Sequence, residues 1–249
     1  MPDWMTVQVL LIVFAATLVR SALGFGEALI AVPLLAFVMP IEQAAPTAVL
    51  VSITIALVIV IQDWRSVHVA SAFRLVIPTL LGIPLGLVLI KRSPAAAVQA
   101  ILGAVVAAFS CYSLLTRRED TLPNDRWAGL FGFFAGVLGG AYGMNGPPVA
   151  IYGWLRRWSP GYFRATLQAY FLPASIAGMG GYWMAGLWTA RVNHFYFLSL
   201  PGVVLATFMG RMIHKKIPAA RFVRYVHFGL IAIGIVLLVR AMIGTLSQT

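Results

Sequence analysis

RSALGFGEALIAVP (20–33) sets an arginine, a glutamate and two glycines inside an apolar run, and a second Gly/Pro-interrupted stretch, GGAYGMNGPPVAIYG (139–153), follows 119 positions later. In lipid, unwound backbone leaves N–H and C=O groups without partners unless it lines a cavity inside the protein. A broken apolar segment in each half of a membrane chain is the sequence pointer to a discontinuous-helix site of the kind secondary transporters build near the bilayer midplane, because unwound backbone offers amides and carbonyls to a substrate. The two stretches therefore predict an all-α integral membrane fold with a binding site where the breaks meet.

Composition supports the membrane class independently. Of 249 residues, 61% are hydrophobic and 10% charged, with a mean hydropathy of +0.91, more apolar surface than a water-soluble domain of this size can hide. Apolar runs recur along the whole chain with no polar block long enough to fold separately, so residues 1–249 are expected to form one transmembrane domain. The start at Asp3, without a basic region before the first apolar run, predicts no cleaved signal peptide, so residues 5–19 should stay in the mature protein.

Runs of ~20 apolar residues bounded by charges give about eight segments: 5–38, 43–62, 72–90, 95–115, 127–155, 165–188, 194–212 and 222–244. The first and fifth are too long and too rich in Gly and Pro for straight helices. All seven tryptophans (Trp4, Trp64, Trp127, Trp154, Trp158, Trp183 and Trp188) fall near segment ends, where their rings are expected among lipid headgroups.

The net charge of +11 is spread over short clusters between apolar runs, which argues for membrane topology and against nucleic acid. If every segment simply crosses, Lys and Arg divide seven against ten between the two sides, leaving Arg20 aside. If the first and fifth segments are re-entrant hairpins, the division becomes four (Lys91, Arg92, Arg191, Arg240) against thirteen. The positive-inside rule then favours hairpins and places both termini outside the cytoplasm. Against this, the limb 5–23 is nearly long enough to cross the ~30 Å hydrocarbon core at ~1.5 Å per residue. Both arrangements stay open from sequence.

A weak internal repeat relates residues 1–120 to 121–249. The offset of 119 pairs Gly24 with Gly143, Ala31 with Ala150 and Thr47 with Thr166, and GIPLGLVLIKRSPAA (82–96) is similar to GVVLATFMGRMIHKKIPAA (202–220). An inverted repeat of a hairpin plus three crossings is an arrangement that supports alternating access.

The chain resembles the TauE/SafE sulfite-exporter family, also called the toluene-sulfonate uptake type of permease. The resemblance covers nearly the whole length. It is carried by GFGEALIAVPLL (24–35), by AGVLGGAYGMNGPPVAIY (135–152) in its Gly-Pro-Pro form, and by RATLQAYFLPAS (164–175) after the second motif. Phe25 and Glu27 depart from the first motif, where the family is often richer in glycine. The resemblance implies a small inner-membrane permease for sulfur-containing anions such as sulfite, sulfonates or sulfoacetate, with proton-linked transport a common proposal.

Of seven acidic residues, Glu27 alone sits inside an apolar segment. An intramembrane carboxylate is costly and is a functional candidate by default, here as a proton carrier. Its structural alternatives are capping a half-helix N-terminus or pairing with Arg20. Arg20 in turn either faces a cavity, where a guanidinium binds a sulfonate as it binds carboxylate or phosphate, or snorkels to the interface. Ser21, Gly24 and Gly26 complete the first candidate binding stretch. Gly143, Asn145, Gly146, Pro147 and Pro148 form the second, in which proline suits the start of a return half-helix and that helix's free N–H groups suit an anion. Thr47, Ser52, Thr166 and Gln168 are polar positions on the helices after each break, suited to substrate contact or to ordinary interhelical hydrogen bonds.

Cys111 is the only cysteine, and the four histidines show no metal-ligand spacing, so no cofactor or metal is expected. No HExxH, GxSxG, Walker or Rossmann pattern occurs in a usable context. The expected partners are a small anionic substrate and the lipid bilayer of the cytoplasmic membrane, with a homo-oligomer left open. An intramembrane enzyme is the alternative from another class, though one Glu, one Arg and an Asn make a poor acid/base set. A non-transporting membrane scaffold is the other.

Overall fold

A computed structural model describes residues 4–23, 25–63, 69–115, 122, 124–214 and 219–246. Among them the chain forms ten α-helices: α1 (Trp4–Leu23), α2 (Glu27–Leu35), α3 (Ile41–Asp63), α4 (Val69–Arg92), α5 (Ala95–Leu115), α6 (Ala128–Tyr142), α7 (Gly146–Leu155), α8 (Pro160–Met184), α9 (Ala190–His214) and α10 (Ala219–Leu246). It is an all-α integral membrane protein. Five helices or helix portions (Trp4–Ala22, Ile41–Ile61, Ala72–Arg92, Ala95–Leu115 and Ala190–Gly210) are long and apolar enough to cross a bilayer. The outer surface is itself apolar, with Leu81, Phe197, Phe208 and Ile243 among its exposed side chains. Lipid tails solvate such groups as well as a protein core does.

The stretch 5–38 divides into α1 and α2, and 127–155 divides into α6 and α7. Both divisions fall at glycine. Gly26 precedes α2 with φ 99°, and Gly143 follows α6 with φ 66°, a left-handed backbone that L side chains adopt at a cost. At Gly143 this turn lets the N–H groups of Gly143 and Met144 donate to the carbonyls of Gly139 and Leu138, at 2.9 and 3.2 Å. Pro147 and Pro148 then occupy the first turn of α7, where an absent N–H leaves no helix bond unmade.

Helix pairs approach through glycine. α4 and α6 touch along Gly82 and Gly86 on one side and Gly132, Gly136 and Gly140 on the other, and a Cβ at any of the five would meet opposing backbone. On α5 and α10, a Cβ at Gly103 would lie 2.7 Å from the carbonyl oxygen of Gly234, and one at Gly234 would lie 2.8 Å from that of Gly103. Gly210 of α9 sits against Ser21 and Leu18 of α1. With no hydrophobic force between helices in lipid, close backbone approach of this kind supplies the packing energy. The principal pairs are α4–α6, α5–α10, α1–α9, α3–α8, α4–α8 and α3–α9. Of the candidate spans, α3 is the most buried.

The two ends of the bundle carry different contacts. At one end the start of α6 meets the end of α7: Leu122 N–H donates to the Leu155 carbonyl at 2.9 Å, and the Tyr152 hydroxyl donates to Asp125 at 2.7 Å. Asp125 also pairs with Arg156, at 3.1 Å, and with Arg74 of α4. At the other end Lys91 donates to the Ala185 carbonyl, Arg191 reaches Met5, and Arg240 lies over Phe37.

The tryptophans divide. Trp4, Trp127, Trp183 and Trp188 are exposed near helix ends, and Trp64 lies outside the described residues. Trp154 and Trp158 correct the expectation of headgroup anchors, because they pack among other aromatic rings.

Candidate functional site

Arg20 lies in the last turn of α1 with 2% of its surface exposed. Its Nη1 donates to Glu27 Oε2 at 3.1 Å and to Ser52 Oγ of α3 at 2.6 Å. Its Nη2 donates to Gln168 Oε1 of α8 at 2.8 Å, and the Phe171 ring centroid lies 5.0 Å from the guanidinium carbon. Four elements thus converge on one cation. The Nε of Arg20 and Oε1 of Glu27, both buried, have no hydrogen-bond partner. Orphaned polar atoms inside a protein are uncommon and point to a ligand or water.

Both residues line a small cavity shared by the two helix breaks: Arg20, Gly26 and Glu27 from the first, and Asn145, Gly146 and Pro147 from the second. Glu27 is the first residue of α2 and Gly146 the first of α7, so two helix N-termini and a guanidinium share this space. Each contributes positive potential, from orphan N–H groups and the helix dipole in one case and formal charge in the other. The single anionic group among the lining residues is the Glu27 carboxylate.

Asn145 also borders a second cavity, with Val49, Thr79, Gly139, Gly143 and Ser175. The Thr79 hydroxyl lies within 2.9 Å of Tyr170 Oη and within 2.8 Å of the Leu75 and Gly132 carbonyls, and Tyr182 donates to the Gly139 carbonyl at 2.9 Å. Toward the Asp125 end the first cavity meets an aromatic wall. Phe25 sets its edge against Trp154 and Phe163, and Trp154 lies nearly parallel to both Phe109 and Phe163. That contact accounts for a phenylalanine at position 25.

Arg20, Gly26, Glu27, Asn145, Gly146 and Pro147 therefore come together, and Gln168 joins them through Arg20. Gly143 faces the neighbouring cavity. Ser21, Thr47 and Thr166 are buried but line neither: Ser21 faces α9, and the Thr47 hydroxyl donates to the Gln43 carbonyl one turn back. Gly24 lies outside the described residues. Phe171, Phe25 and Met144 are lining residues that sequence reasoning passed over. The offset of 119 that pairs Thr47 with Thr166 also pairs Ser52 with Phe171, two residues that both contact Arg20.

Outside the membrane-spanning segments, Asp125 titrates below the ordinary carboxylate value of 3.8. The Tyr152 hydroxyl is the leading cause; partial burial opposes it, and the nearby charges of Arg156 and Arg74 add to the lowering.

Residues 9–237 match the family model described as sulfite exporter TauE/SafE. A Cupriavidus necator protein named "Probable sulfite/organosulfonate exporter TauE" is 29% identical over 187 residues, covering 72% of this chain and 70% of that protein. No solved structure matches.

Proposed function

The chain belongs to the sulfite exporter TauE/SafE family, and we propose that it is a secondary transporter of small anions, sulfur oxyanions or organosulfonates, in a cytoplasmic membrane. The observation that carries this reading is Arg20, a buried guanidinium facing a cavity onto which two half-helix N-termini also open. A planar fork of donors beside helix N-termini suits the oxygens of a sulfite or sulfonate group. The relative's name carries the same substrate class.

Alternating access is supported by how the helices pair. Exchanging α1–α5 for α6–α10 turns α4–α6 into α9–α1 and α4–α8 into α9–α3, and maps α3–α8 and α5–α10 onto themselves. Two repeats, 1–120 and 121–249, each a re-entrant hairpin followed by three crossings, account for that exchange. The meeting of Leu122 with Leu155 supports the second hairpin. In the hairpin arrangement the sequence divides Lys and Arg thirteen to four, with Arg74, Arg126, Arg156 and Arg157 on the richer side, and the positive-inside rule then sets the Asp125 end in the cytoplasm. Arg20 and the hairpin tips then form a site reached alternately from either side, with Glu27 as the proton carrier.

Thermal-shift screening of sulfite, thiosulfate, sulfonates and carboxylates, followed by flux in proteoliposomes, tests the reading. A sulfur anion should stabilise the protein and move across the vesicle. Chemical conversion without movement would mean an enzyme, and neither conversion nor movement would mean a scaffold.

A further inference from the structure

Among the described residues the buried Asp, Glu, Lys and Arg side chains are Arg20 and Glu27 alone. Their charges cancel, and the pair occupies a place where a guanidinium and two helix N-termini coincide. The carboxylate of Glu27 therefore sits where an arriving anion would find its strongest attraction. Building on the anion-transport reading, we propose that Glu27 is a tethered stand-in for the transported anion. It holds Arg20 in the empty carrier, and the anion binds by displacing it while Glu27 takes up one proton from solution.

The proton follows from charge balance. A monovalent anion added to the pair leaves one uncompensated negative charge in a region from which water is largely excluded, and such a charge is costly. Protonating Glu27 restores neutrality, with no bond made or broken except that between the proton and the carboxylate. Among the described residues no other group is placed to take this role. Of the elements packed on α2, α1 presents Arg20 and α3 presents Ser52. Glu42 lies in the first turn of α3, away from the cavity lining. Tyr152 of α7 is bonded to Asp125, His227 of α10 to Ser113, and Arg240 of α10 lies over Phe37. The titratable side chains of α5 among the described residues, Cys111 and Tyr112, do not line the cavity.

The geometry also permits the exchange. Ser52, Gln168 and Phe171 hold the guanidinium from α3 and α8, so Arg20 keeps its place when Glu27 leaves. Glu27 begins a nine-residue helix directly after Gly26, at φ 99°. A Cβ at Gly26 would meet nothing within 4 Å, so glycine is needed there for its backbone angle and not for room, as at a pivot. Both the empty and the loaded site are then neutral, and the carrier crosses between its two states without moving net charge.

The test uses the whole protein in nanodiscs and titration calorimetry in buffers of different protonation enthalpy. The probe is whichever of methanesulfonate, ethanesulfonate and hydrogen sulfite binds tightest, with the protonation of free sulfite subtracted. Wild type should take up about one proton per monovalent anion. Its affinity should fall about tenfold per pH unit across the range where empty Glu27 is ionised, the slope that linkage requires for one proton. Glu27→Gln, which removes the competing charge, should bind with no pH slope and at least tenfold more tightly than wild type at pH 8. Binding to wild type without proton uptake overturns the proposal, as does a pH slope kept by Glu27→Gln. If that variant does not fold, the wild-type proton count decides alone. Failure of all three anions to bind wild type would instead overturn the anion-transport reading on which the proposal rests.

Discussion

Ser52 and Gln168 stand on opposite halves of the chain, yet both accept hydrogen bonds from the same guanidinium, at 2.6 and 2.8 Å from Arg20. α3 and α8, the helices that follow the two breaks, are thereby tied through a residue of α1. A change at Arg20 reaches both halves at once.

Replacing Arg20 with Gln should weaken anion binding tenfold or more, since a hydrogen bond to a charged group is worth ~1.5–3 kcal/mol. The single variant also leaves Glu27 buried without its partner, and breaking a buried pair costs about 3–5 kcal/mol. The double variant Arg20→Gln, Glu27→Gln should therefore melt higher than Arg20→Gln while still binding anion more weakly than wild type. Normal anion affinity in a folded Arg20→Gln protein would remove Arg20 from the site.

Topology is checked by cysteine accessibility in a Cys111→Ser background. Asn124→Cys and Ser159→Cys should react from the cytoplasmic side, and Ser93→Cys and Gly186→Cys from the other. The cytoplasmic assignment extends to the stretches 63–74 and 213–221, whose residues 64–68 and 215–218 lie outside the described part. Labelling of positions 124 and 159 from opposite faces would mean that α6 and α7 form a crossing and not a hairpin.

Much of this architecture is legible in the sequence because the membrane reduces the choices to apolar helices and their interruptions. Gly26, Gly143 and the Pro147–Pro148 pair mark the breaks, since only particular residues tolerate a left-handed turn or a missing N–H. Which side chains reach the cavity is harder to read. A soluble helix announces its inner face by amphipathic periodicity, whereas a helix that is apolar all round does not. Ser21, Thr47 and Thr166 looked equivalent to Ser52 and Gln168 for that reason. Only helix rotation separates them, as with Thr47, whose hydroxyl returns to its own backbone at Gln43. Arg20 left three readings open, and the distance to Glu27 places it in the pair.

The α4–α6 seam should tolerate no side chain. Gly136→Ala puts a Cβ against the Thr79 carbonyl and the Gly82 Cα, and overpacking of this kind costs ~1–3 kcal/mol. Gly129→Ala, on the same helix with nothing within 4 Å of the new Cβ, should unfold at the wild-type temperature or slightly above, because alanine is the better helix former. Thermal unfolding of both in detergent checks the contrast, and equal destabilisation would mean that the seam is looser than this packing.

Asp125 gives the protein an acid-sensitive clasp. Its carboxylate titrates below 3.8 because Tyr152, Arg156 and Arg74 favour the ionised form. The stability it adds is therefore fully present above that value and is lost as pH falls through the lower folded value. Asp125→Asn should melt below wild type at pH 7, and the gap should close as pH drops below about 4. A gap that persists in acid would assign the effect to packing and not to charge.

Glu27→Gln separates coupling from binding in transport itself. The amide mimics the protonated acid, so the variant should still load anion and exchange it across the membrane, a cycle that needs no net proton movement. Accumulation driven by a proton gradient should disappear. If Glu27 is needed only to hold Arg20, through the 3.1 Å contact, the same change should lower the melting temperature and depress exchange and net flux together. Measuring both fluxes in one liposome preparation distinguishes the two roles, and proton-driven accumulation unchanged in the variant would eliminate Glu27 as the carrier.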